Sequence, residues 1–207
     1  MADWVTISAL ATAGGTLVLA GTTYASVRSA NRAARVAEQS LLAGLRPLIV
    51  PSADDDPAVR APFAEGNTLM VPGGGGAVDM VDGRLFLAVS LRNVGPGIGV
   101  LHGGFVGPVV RGEGAEPAPL DSIRRLARDL YIPPGEMGFW QVAFRQDDPR
   151  RDEVLALVED GRFMVDLLYG DYEGGQRVVT RISVSRREDT WTATVVHHWQ
   201  IDRPDPR

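Results

Sequence analysis

The sequence has no cysteine, which excludes disulfides, thiolate metal sites and a cysteine nucleophile. That absence does not fix the compartment, because a domain with a large enough core needs no disulfide. Lysine is missing as well: all 21 basic residues are arginine. With lysine goes the phosphate loop, whose lysine reaches the terminal phosphates. Imidazole chemistry is limited to His102, His197 and His198, and no G-x-S-x-G elbow is present. Positive charge is scarce over most of the chain. Residues 47–207 carry 17 arginines against 24 acids, a net of −7, so nucleic acid is not an expected partner of that region.

What is present begins with an uncharged run. From Trp4 to Val27 there are 24 residues without a charge, and a helix of that length covers about 36 Å, enough for a ~30 Å hydrocarbon layer. The start, Met-Ala-Asp, lacks the positive region of a secretory signal. The run therefore reads as a transmembrane helix over 1–27, although only Val5, Ile7, Leu10, Leu17, Val18, Leu19 and Val27 are strongly apolar within it. Arg28, Arg32 and Arg35 follow on one helical face. By the positive-inside rule they place the C-terminal side in the cytoplasm, and they are positioned for lipid headgroup contacts. The alternative orientation puts the C-terminal domain outside. The expected location is the cell membrane, with a single pass and the bilayer itself as a partner.

Ala20, Thr23, Val27, Ala30, Ala34, Ala37, Leu41 and Gly44 recur at alternating spacings of three and four. This seam of small residues extends the helix as an amphipathic connector over 28–46 and offers a face for homo-oligomer formation. Pro47 ends it.

Beyond Pro47 the period becomes two. "RLFLAVSLRN" puts Leu85, Leu87, Val89 and Leu91 on one face, and "GFWQVAF" does the same for Trp140, Val142 and Phe144. In "FMVDLLYGDYEGGQRVVTRISV" a turn at Gly174-Gly175 would pair Tyr169 with Thr180, Leu167 with Ile182 and Val165 with Val184. "DDPRRDEVLALVEDG" reads as a short helix with Asp148 as cap and Gly161 as stop. The segments "PSADDDPAVRAPFAEG" and "VRGEGAEPAP" read as polar loops. About nine or ten short strands with turns between them predict a mainly β domain over 47–207. The expected form is an antiparallel β-sandwich, an immunoglobulin-like arrangement being one such form, with one inserted helix.

Chemistry is sparse. "VGPGIGV" at 94–100 is followed by β-like sequence rather than the helix a dinucleotide site needs, and "PGGGGAV" at 72–78 has no lysine or hydroxyl for a phosphate. Strand alternation puts His197 on the face of Trp191, Val195 and Trp199 and His198 on the other, so the pair cannot meet on one metal without a bulge. No catalytic residue, metal ligand or cofactor is assigned. The strongest candidate surface is a binding rim of Arg92, Asn93, Asp171, Tyr172, Glu173 and Arg177, where aromatic and charged side chains mix as they do at recognition surfaces.

The blocks "TTYASVRSANRAARVAEQSLLAGLRPLIVPS", "LRNVGPGIGVLHG", "RDLYIPPGEMGFWQ" and "DLLYGDYEGGQR" resemble a group of uncharacterised actinobacterial proteins with one N-terminal transmembrane helix and a β-rich domain. The resemblance covers most of the chain and implies a bacterial, membrane-anchored protein. It carries no activity and no catalytic residue. The expected function is a binding or scaffolding module for a membrane-associated complex, with a protein partner. One alternative is an acid- or metal-dependent hydrolase built on Asp171, Glu173 or the Asp54–Asp56 cluster. The other is a structural spacer that oligomerises through its helix.

Overall fold

Trp4–Gly44 forms one uninterrupted α-helix, α1, of 41 residues. The computed structural model describes residues 3–109 and 116–202, the side chains of Val5, Thr6 and Ala127 excepted. Hydroxyls inside α1 return to its own backbone: Thr12 donates to the Ser8 carbonyl and Thr16 to the Thr12 carbonyl, each at 2.9 Å. Among the described residues no helix is long and apolar enough to cross a membrane. Length is not what fails. The strongly apolar residues of α1 are diluted by Gly, Ala, Ser and Thr, so no stretch of it repays the transfer of its polar groups into hydrocarbon. The transmembrane helix over 1–27, the membrane anchor, the orientation and the cell-membrane location are thereby overturned. Arg28, Arg32 and Arg35 are exposed on α1, and the headgroup contacts assigned to them rested on that span. The chain divides at Gly44/Leu45, where α1 ends, rather than at 27 and 46.

Among the described residues the second unit has eleven strands: β1 Ile49–Pro51, β2 Val59–Pro62, β3 Thr68–Val71, β4 Gly75–Val81, β5 Arg84–Asn93, β6 Gly99–Gly107, β7 Arg124–Ile132, β8 Met137–Phe144, β9 Arg162–Gly170, β10 Val178–Arg187 and β11 Thr190–Gln200. A short helix, α2 Arg151–Glu159, lies between β8 and β9. All strand pairs are antiparallel, so the expectation of a mainly β, antiparallel domain with one inserted helix holds.

Nine strands make one curled sheet that runs β5-β4-β11-β10-β9-β6-β7, with β8 and β1 both joined to β5. Strand β8 pairs with β5 along 85–92, while β4 pairs along 84–89 and β1 along 91–93, so β4 and β1 share one edge of β5 and β8 occupies the other. Curling brings the two ends of the sheet over one core. Leu85, Leu87, Val89 and Leu91 of β5 and Trp140, Val142 and Phe144 of β8 pack with Leu101, Val106, Val165, Leu167, Ile182 and Val184 from the far half. Val154 and Val158 of α2 join them.

Strand β5 is buried on both faces, because β2 and β3 form a separate hairpin whose Ala61, Phe63, Leu69 and Val71 cover Phe86 and Ala88. Phe63 meets Phe86 edge-on at 4.9 Å. Part of the segment read as a polar loop is therefore β2, its alternation being only four residues long.

Two registers differ from the sequence reading. The β9–β10 loop is longer than a two-residue turn: Tyr169 faces Val178, Leu167 faces Thr180 and Val165 faces Ile182. Asp171 causes the difference, its carboxylate accepting from the Gly175 amide and the Gln176 side chain and holding a wider loop. The slip is two residues, so each side chain keeps its face. In β11 the pairing jumps between Ile182–Val195 and Arg181–His197, leaving Val196 as a bulge. The bulge swaps faces: His198 turns to Thr180 at 2.6 Å, and His197 stacks on Trp199 with ring centres 4.2 Å apart, away from Trp191 and Val195.

Candidate functional site

Strands β7 and β8 are joined by the short turn Pro133–Glu136, the usual start of a hairpin, yet they do not pair. Among the described residues β7 pairs only with β6, and β8 only with β5. At the turn the two strands are close, and Gly138 lies against Ile132, where a Cβ would meet the isoleucine at 2.6 Å.

Asn93, at the end of β5, fixes this closed end. Its backbone N–H donates to Glu136 and its carbonyl accepts from Gly135, whose positive φ makes the turn. Its side-chain amide donates to the Ile132 carbonyl at 2.8 Å and the Gly97 carbonyl at 2.6 Å, and its oxygen accepts from the Leu48 and Gly95 amides. All four hydrogen-bonding positions of the side chain are used. Gly97 is needed here because a Cβ would lie 1.8 Å from the Leu45 carbonyl oxygen, so the 94–99 glycines let the backbone wrap the segment that enters the domain.

Away from the turn β7 arches off β6. Leu130 pairs with Leu101 and Arg125 with Gly103, so residues 126–129 face only His102. The arch opens a cleft of about 620 Å³ between β7 and β8. Trp140, Gln141, Val142 and Ala143 all line it. Successive strand residues point to opposite faces, so four in a row mark a cleft that runs along the edge of β8 rather than over a face. Leu126 and Leu130 of β7 and Phe63–Glu65 from the β2–β3 hairpin complete its walls. At the far end Arg124 pairs with Asp148 and lies 5.4 Å from the Phe144 ring centre.

The cleft is basic in an acidic domain. Among the described residues Arg124, Arg125, Arg128 and Arg145 line it against one acid, Glu65, which Arg145 holds at 3.0 Å. The Arg145 hydrogen bond keeps the Glu65 carboxyl below its usual range. Arg125 and Arg128 make no ion pair among the described residues. Beneath the arch, half-buried His102 is held below the usual imidazole range, first by loss of solvent and then by Arg177 and Arg125, against an opposing pull from Asp129. Two side-chain atoms of cleft-lining residues, Trp140 Nε1 and Gln141 Oε1, are buried without a hydrogen-bond partner.

The predicted rim is not gathered into this site. Asn93 and Asp171 are buried and committed to loop backbone, as described above. Arg92 pairs with Asp56 at 2.9 Å, and Arg177 pairs with Asp202 at 2.7 Å. Tyr172 and Glu173 stand in solvent at the tip of the β9–β10 loop. Of the acids weighed for hydrolysis, Asp171 and Asp56 are engaged in this way, Asp56 also accepting from the Ala53 amide, and no group of described residues is arranged to hold a metal ion. What the sequence reading passed over is "RRLARDL" at 124–130: three arginines in seven residues, spaced by Leu126 and Leu130, within a domain of opposite net charge.

No protein-family model matches the sequence, and no curated protein matches it. Among solved structures, a β-glucosidase from Erythrobacter marinus is similar over 66% of this chain and 18% of that chain, with 14% identity and a TM-score of 0.23. At that score the likeness carries no argument about fold or activity.

Proposed function

We propose that the β domain, its curled sheet folded over one core in the manner of an antiparallel sandwich, is a binding module for a protein partner, and that the cleft between β7 and β8 receives a segment of that partner. One observation carries this reading: two strand edges face each other across an open cleft instead of pairing. Exposed edges are normally covered, charged or twisted away because free N–H and C=O groups recruit further strands. Here both border the same cleft, whose lining includes the apolar Trp140, Val142 and Leu126, the arrangement that strand addition exploits.

A display library of random peptides, selected on the full chain, tests the reading. Selected peptides should lose binding to the Leu126→Trp variant, which places an indole in the cleft, while that variant keeps the parent circular dichroism spectrum. Peptides that bind parent and variant equally would place recognition elsewhere and refute the proposal.

A further inference from the structure

Resting on that reading, we infer that the segment received is a short extended peptide carrying carboxylates, with Arg125 and Arg128 reading its acidic side chains. The length follows from the edge available: four residues of β8 border the cleft, and at about 3.3 Å per residue they match a segment of roughly four or five. The volume also suits a short peptide.

Charge supplies the chemistry. Four arginines and one glutamate line a cleft in a domain whose residues 47–207 sum to −7, so the local sign is reversed where the edges are free. Arg124 and Arg145 already hold Asp148 and Glu65. The charges left for a guest are Arg125 and Arg128, whose planar forks suit carboxylates. Backbone complementarity comes from β8 itself. Among the described residues β8 is paired along one edge only, to β5, so its N–H and C=O groups that point away from β5 meet no other strand and match the alternating acceptor and donor of an extended chain. A folded acidic surface or a nucleic acid would supply negative charge without entering between the two edges.

The test is fluorescence anisotropy with the full chain and a dye-labelled peptide of about six residues alternating Glu and Val. It is compared with the same peptide carrying Lys for Glu, the Glu peptide N-methylated at alternate residues, and citrate as a small competing carboxylate. The expected result is binding of the Glu peptide, weakened at least about fivefold by Arg125→Gln and again by Arg128→Gln, weakened by salt, and abolished by N-methylation. Binding of the Lys peptide as tight as the Glu peptide, sensitive to Leu126→Trp, would overturn the acidic assignment while leaving the cleft as a receptor. Equal binding of the N-methylated peptide, or displacement by citrate at equal concentration, would make the cleft a small-anion site and overturn the strand. If no peptide binds and library selection also fails, both the inference and the reading beneath it fall.

Discussion

Replacing Asn93 by alanine should destabilise the β domain by about 3–5 kcal/mol, because one small side chain serves four separate backbone groups. The amides of Leu48 and Gly95 and the carbonyls of Gly97 and Ile132 all lose their partner at once. Asn93 is fully buried, and so are Gly95, Gly97 and Ile132. Each orphaned buried group costs about 1–3 kcal/mol, partly relieved where water can enter the vacated space. Urea unfolding followed by fluorescence of the four tryptophans gives the difference. Asn93→Asp sharpens the reasoning. It keeps both acceptor positions, removes the donors to Gly97 and Ile132, and buries a charge with no cation committed to it, so its carboxyl pKa must rise on folding. A raised carboxyl pKa gives stability that is present at low pH and lost as pH rises through the folded value. The deficit of Asn93→Asp relative to the parent should therefore be largest near neutrality, at about pH 7, and shrink on acidification. A loss below about 1 kcal/mol for the alanine variant would refute the claim that Asn93 holds the closed end of the cleft.

Asp166 and Arg181 form a buried bidentate pair at 2.6 and 2.7 Å, and Asp166 also accepts from the Ala118 amide. Asp166→Ala alone should cost about 3–5 kcal/mol because it strands a buried guanidinium, while the double change Asp166→Leu with Arg181→Met should cost less than the single one, as measured by urea unfolding. His102 is held below its ordinary pKa, so the unfolded chain takes up its proton first as pH falls. Its contribution to stability is present above about pH 6.5 and is lost as pH drops through the folded value. His102→Asn should flatten the stability profile in that window, and an unchanged slope would refute the assignment of this dependence to His102.

The strands with clean alternation were legible in the sequence because burial on one face imposes a period of two: β5, β8 and the faces of β9 and β10 follow from it directly. The same logic failed at β11, since one extra residue, Val196, inverts every later position and leaves no mark on composition. The Gly174-Gly175 pair suggested a tight turn, but the wider loop is set by hydrogen bonds that Asp171 accepts from Gly175 and Gln176, which turn residues alone do not disclose. Membrane insertion was read from the absence of charge in Trp4–Val27, whereas crossing depends on apolar content, which α1 lacks. Asn93 looked like an exposed rim residue because polar residues beside glycine usually mark turns. Its burial depends on the segment around Leu48 and on the β7–β8 turn, both remote in sequence. The cleft is least visible of all. It arises from strands that fail to pair, and no local pattern records a missing ladder.

Backbone amide exchange along Met137–Phe144 addresses the central claim most directly. In the free protein, the β8 amides that point away from β5 should exchange much faster than those bonded to it, because β7 provides no ladder on that side. Adding the Glu-Val peptide should protect these same amides and those of residues 125–130. Uniform slow exchange along β8 in the free protein would mean that β7 and β8 are already paired in solution, and would contradict the open cleft on which the functional reading stands.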